Sequence, residues 1–106
     1  MSILDKYRKQ DNFEDLEPTQ VDRDGNEMYG IVAVIDYMLG EEYYSEIWHQ
    51  LDHEDDQLLI EQLIDEFLEE KDAVFWSAPK EDFFVWRAID HAKENGKSVV
   101  LAENLS

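Results

Sequence analysis

The sequence predicts a small, mainly α-helical single domain, a helical bundle with one short β pair near its C-terminus, with an α+β fold as the alternative. Three observations lead there. A length of 106 residues suits one domain. Leu59, Ile60, Leu63, Ile64 and Phe67 recur with the period of an amphipathic helix. The hydrophobic fraction of 43%, with three Trp, five Tyr and five Phe, is enough for a real core, whereas acidic disordered tails have few aromatics.

Residues 1–26 are polar, with Pro18 and an Asp24-Gly25-Asn26 turn signal. They are expected to be the least ordered part, with a helical turn near Phe13 to Leu16. Met28 to Leu39 fits two descriptions. Ile31, Val32, Val34 and Ile35 favour a buried strand by β-branching, and Met28, Ile31, Ile35 and Met38 fit a helical face. Helix is preferred because the apolar face continues at Tyr44, Ile47, Trp48 and Leu51, with Gly40 as C-cap. Glu41 to Leu51 is predicted as a helix with two carboxylates in its first turn, where the helix dipole favours them. Asp52 to Asp56 reads as a polar break, and Asp55 or Asp56 as the cap of a helix over residues 57–70.

Ala73 to Trp76 is a short apolar run with strand character. Ser77 is the expected N-cap, and Pro79 an early residue, of a helix over residues 81–95 that Gly96 ends. Ser98 to Ala102 carries a strand signal. The expected β pair joins it to residues 73–76 or to residues 31–35.

Charge is the most informative feature. The formal net charge is −18, and no lysine or arginine occurs between Arg23 and Lys71. Twelve carboxylates fall in the thirty residues from Glu41 to Glu70: Glu41, Glu42, Glu46, Asp52, Glu54, Asp55, Asp56, Glu61, Asp65, Glu66, Glu69 and Glu70. They are the expected partner-binding residues. The final 34 residues are nearly neutral, with five acids and four bases, so the acidity is concentrated in the middle. Glu61, Asp65 and Glu69 stand at i, i+4, i+8, and Glu66 and Glu70 make a further pair. Like charges so spaced cost a helix roughly 0.2–0.5 kcal/mol per pair. Stability alone would have favoured a mixed surface.

A surface of this sign repels nucleic acid and anionic membranes and attracts basic surfaces. The expected partner is therefore the basic surface of a nucleic-acid-binding protein, such as a nuclease or a defence complex, with no direct binding of nucleic acid or membrane. On thirty continuous helical residues the carboxylates would stand one per roughly 3.8 Å, close to the ~3.4 Å per phosphate of one DNA strand. In size and charge the chain resembles the small DNA-mimic inhibitors that bacteriophages and mobile elements deploy against restriction or CRISPR nucleases. Those proteins share no motif or fold, so the resemblance assigns no residue. It implies a non-enzymatic inhibitor that blocks a basic groove.

Other readings compete. A small acidic immunity or adaptor protein would bind one basic partner, such as a nuclease toxin, by shape, with Tyr43, Tyr44 or Trp48 as anchors. An ordinary solvated face and halophilic adaptation are the plain alternatives. Catalysis finds little support. His49 and His53 are spaced i, i+4, but the intervening residues do not form HExxH, and two surface histidines at a helix end explain them. Carboxylates on residues 57–70 could hold magnesium, yet no basic residue lies nearby for a phosphate. Asp22 to Glu27 departs from a calcium loop, with glycine in the fourth place, and reads as a turn. No enzyme activity, metal or cofactor is expected. Cysteine is absent. The N-terminal stretch has no signal-peptide apolar run, and a cytoplasmic location, the host's included, is expected.

Overall fold

The computed structural model describes residues 3–43, 46, 49, 52–77 and 84–103. Among them are four helices and a four-stranded mixed sheet. The protein is therefore α+β, and the expectation of a mainly helical bundle is corrected.

The chain begins with α1 (Ile3–Tyr7) and turns at Phe13, whose carbonyl accepts the Leu16 N–H at 3.1 Å. β1 (Gln20–Val21) and β2 (Glu27–Gly30) form an antiparallel hairpin. Asp22 builds its turn. Oδ1 accepts the N–H groups of Asp24 at 2.9 Å and Asn26 at 2.7 Å, and Oδ2 accepts the Asn26 side-chain amide at 2.7 Å. Gly25 takes the positive φ of 85° that this turn requires.

β2 runs directly into α2 (Ile31–Leu39), so the ambiguous segment contains both elements, with the strand earlier than its β-branched residues suggested. Val34, Ile35, Met38 and Leu39 are buried together on one face of α2. That tertiary burial overrides the strand preference of Ile31 to Ile35. Gly40 ends α2 at φ 85°, its N–H donating to the Asp36 carbonyl.

Of the predicted helix over residues 41–51, the described residues are Glu41, Glu42, Tyr43, Glu46 and His49. The Glu46 N–H donates to the Glu42 carbonyl at 2.8 Å, an i→i+4 bond. Tyr44, Ser45, Ile47, Trp48, Gln50 and Leu51 lie outside the described residues.

α3 (His53–Lys71) starts earlier than expected. Asp52, not Asp55 or Asp56, is its N-cap, accepting the Asp55 N–H at 2.9 Å. The supposed polar break is thus the first turn of the helix, where Glu54, Asp55 and Asp56 meet the positive end of the dipole. Leu59, Leu63 and Phe67 are buried as predicted, and Ile60 and Ile64 pack against them.

β3 (Val74–Trp76), α4 (Phe84–Glu94) and β4 (Val99–Ala102) follow. Residues 78–83, with Pro79 and the predicted helix start, lie outside the described residues. Ser77 donates its hydroxyl to the Glu103 carboxylate. Gly96, at φ 68°, closes α4 with the Lys97 N–H on the Ala92 carbonyl at 2.8 Å and its own N–H on Lys93 at 3.2 Å. This is a Schellman ending.

The sheet order is β1-β2-β4-β3. β4 lies between β2 and β3, parallel to both, with Tyr29 and Phe75 opposite Leu101. A parallel strand covered on both faces reads as a continuous apolar run, and Val100, Leu101 and Ala102 are all buried. Alternation then divides the core. Leu101 and Tyr29 join Phe13, the α2 face and the α3 stripe on one side. Val100, Ala102 and Met28 join Ala88, Ile89 and Ala92 of α4 on the other. No helix among the described residues is long and apolar enough to cross a membrane.

Candidate functional site

The helical period sorts the carboxylates of α3 into three sets. Glu54, Glu61, Asp65 and Glu69 are exposed, on the side opposite Leu59, Leu63 and Phe67. Leu58, 47% exposed, stands in the same stripe between Glu54 and Glu61. From Glu54 to Glu69 the helix rises about 22 Å, so this open row carries one carboxylate per about 7.5 Å. That is half the linear density anticipated from all twelve, because the others point elsewhere.

Glu66 and Glu70 form the second set and face the N-terminal segment. Arg8, its side chain 17% exposed, pairs with Glu66 and donates to the carbonyls of Gln10 and Asp11, both at 3.3 Å. Glu70 accepts the Phe13 N–H at 2.7 Å. Lys9 extends the contact to α2. Its N–H donates to the Met38 carbonyl at 2.7 Å, and Nζ lies 3.4 Å from Glu42. Its stem passes so close to Gly40 that a Cβ there would sit 2.9 Å from Cδ. Residues 8–13 therefore strap α2 to α3 and supply counter-charges to Glu42 and Glu66. Glu66, Glu69 and Glu70 border a shallow hollow of about 260 Å³.

The third set is at the start of α3. Asp52 caps the helix, and Asp55 is half-buried. Asp56 is 7% exposed, and its Oδ1 accepts no hydrogen bond. Burial pushes this carboxyl above the ordinary aspartate range. Asp36 on α2 shifts the same way, through burial and then through the Glu41 charge. Glu41, Glu42 and Glu46 are all exposed.

Of the twelve residues singled out from sequence, four thus share one open row. The capping role of Asp52, the strap on Glu42, Glu66 and Glu70, and the burial of Asp56 separate five of the others from it; Asp55 is half-buried, and Glu41 and Glu46 are exposed but precede α3. Tyr43 is fully buried and cannot be the exposed anchor anticipated for a shape-specific contact. Sequence reasoning missed Arg8 and Lys9 as internal counter-ions. It also missed Leu58, although that residue stands beside the Leu59 stripe and so off the buried face.

His49 precedes the Asp52 cap and His53 follows it, so no one helical face carries both. Among the described residues no group of three His, Cys, Asp or Glu side chains is arranged to hold a metal ion. Asp22 is held below the usual carboxylate range, chiefly by the Asn26 side chain, and belongs to the hairpin turn. No protein-family model matches this chain, and no curated protein or solved structure matches it.

Proposed function

We propose that the protein is a non-enzymatic acidic inhibitor that occupies the basic groove of a DNA- or RNA-binding protein, offering carboxylates where the partner binds phosphates. The observation that carries this reading is the open row of Glu54, Glu61, Asp65 and Glu69. The row is fixed on a 19-residue helix in a stretch with no lysine or arginine from residue 24 to residue 70. Charge held on a rigid helix steers a basic partner and costs little ordering when the partner docks. The partner class is a nuclease or defence complex, and the location is the cytoplasm that holds it, a host's cytoplasm for an anti-defence protein.

Leu58 favours a second reading. An exposed leucine inside the acidic row suits a dedicated contact with one basic protein, as in an immunity or adaptor protein. The experiment that separates the two is affinity capture of the partner, followed by binding measurements on variants. Under mimicry, E61K, D65K and E69K weaken binding cumulatively, with a steep salt dependence, and L58A has a small effect. Binding that survives the triple reversal and disappears in L58A rejects mimicry in favour of the dedicated contact.

A further inference from the structure

β3 is the outer strand of the sheet, bonded to β4 on one side and to no other strand among the described residues. Its residues are Val74, Phe75 and Trp76, and none is buried; Phe75 is 37% exposed. Among the described residues this apolar edge is open; such an edge is a template for another chain, and natural edges are commonly blunted by lysine, proline or a bulge. The three residues of β3 include neither lysine nor proline.

Beside this strand, against α4, is a hollow of about 450 Å³ lined by Trp76, Arg87, Asp90, His91 and Glu94. The four α4 residues follow the i, i+3, i+4, i+7 spacing of one helix face. Ala88, Ile89 and Ala92 bury the adjoining face on the sheet. A groove between an edge strand and a helix suits an extended peptide, whose backbone bonds the edge while alternate side chains enter the groove.

Charge selects the occupant. Asp90 and Glu94 outnumber Arg87 on the helix wall, and Asp72 leads into the strand. Lys97 pairs with Asp72, yet the Asp72 side chain stays 85% exposed. A second copy of the chain, carrying −18, is repelled from such a site. A lysine or arginine would lie against the Trp76 ring and meet the two carboxylates of α4.

We propose that the β3 edge and the α4 hollow receive an extended basic segment of a partner protein as an added strand. This site is separate from the α3 row and stands whether or not that row imitates nucleic acid.

The test uses the isotope-labelled full chain and two synthetic peptides. One alternates lysine and valine. The other has the same side chains and charge but every backbone amide N-methylated, so that neither of its edges can donate to a strand. The unmodified peptide is expected to slow amide exchange within Val74–Trp76 and to shift the Trp76 indole resonance. N-methylation should weaken binding about tenfold, the loss of a pair of backbone hydrogen bonds. D90N and E94Q, both at exposed positions, should weaken the unmodified peptide several-fold without changing the melting temperature. Equal affinity for the two peptides overturns the proposal. So does an absence of binding, or protection confined to the α3 row with the β3 amides unchanged.

Discussion

Phe67 is where three segments of the chain meet. Its ring lies edge-on to Phe13, with centroids 5.3 Å apart at 84°, and to Tyr29 at 5.0 Å and 64°. All three residues are buried. Phe67→Leu keeps most of the apolar bulk and removes both ring contacts. Aromatic pairs contribute about 0.5–1.5 kcal/mol each beyond area burial, so the substitution should cost roughly 1–3 kcal/mol. Truncation to alanine would cost about 3–5 kcal/mol, a large part of the ~5–15 kcal/mol that holds a domain folded. Leucine is therefore the better probe. At about 4–8 °C per kcal/mol for a domain of this size, the melting temperature should fall by roughly 5–20 °C. The assay is thermal unfolding followed by circular dichroism at moderate salt. Phe13→Leu and the double variant complete a cycle whose coupling energy should be about 0.5–1.5 kcal/mol. Effects that add to within ~0.3 kcal/mol would refute the account, because the N-terminal segment would then not share the core with α3.

Arg8→Gln removes the counter-charge of Glu66 and should lower stability by about 1 kcal/mol at low salt and by less at high salt. Denaturant titrations at two ionic strengths measure it, and an unchanged midpoint would mean that the strap does not hold α2 to α3. The wild type itself should melt higher as salt rises from low to moderate, since shortening the Debye length from ~30 Å to ~8 Å screens its self-repulsion. The pH dependence has a definite sign. Burial raises the folded-state carboxyls of Asp56 and Asp36 above the ordinary 3.8, so the folded protein binds these protons more tightly than the unfolded chain. Their contribution to stability is therefore least favourable at neutral pH and improves as pH falls through the raised values towards 3.8. Asp22 acts oppositely, and its contribution is lost only as pH falls below 3.8 towards its lowered folded value. Asp56→Asn should raise stability at neutral pH and flatten the gain on mild acidification. A variant less stable than wild type at neutral pH would show that the Asp56 charge has a partner.

The elements were more legible in the sequence than their assembly. Leu59, Leu63 and Phe67 announce α3 because its period is long and unbroken, and Gly40 and Gly96 mark helix ends because each takes a positive φ. Val74–Trp76 and Val99–Ala102 are visible as short apolar runs. What the sequence hid is the parallel pairing of Glu27–Gly30 with Val99–Ala102, far apart along the chain. No turn signal links such strands, and Glu27-Met28-Tyr29-Gly30 contains no β-branched residue. The mainly helical expectation failed at that point. The acidic site was legible as composition and partly as geometry. Periodicity alone sets Glu61, Asp65 and Glu69 outward. Periodicity also sets Glu66 and Glu70 to one side of that row, but their engagement there depends on Arg8 and Phe13, which are distant in sequence and meet α3 only in the folded protein.

Competition tests the central claim most directly. With the captured partner immobilised, increasing concentrations of duplex DNA or RNA are added against a fixed concentration of this protein. An inhibitor that fills a nucleic-acid groove must exclude the polymer, so the account predicts mutual displacement that weakens as salt rises, and its loss when Glu54, Glu61, Asp65 and Glu69 are all changed to lysine. Simultaneous binding of the protein and saturating nucleic acid to the same partner, with neither displacing the other, would contradict it.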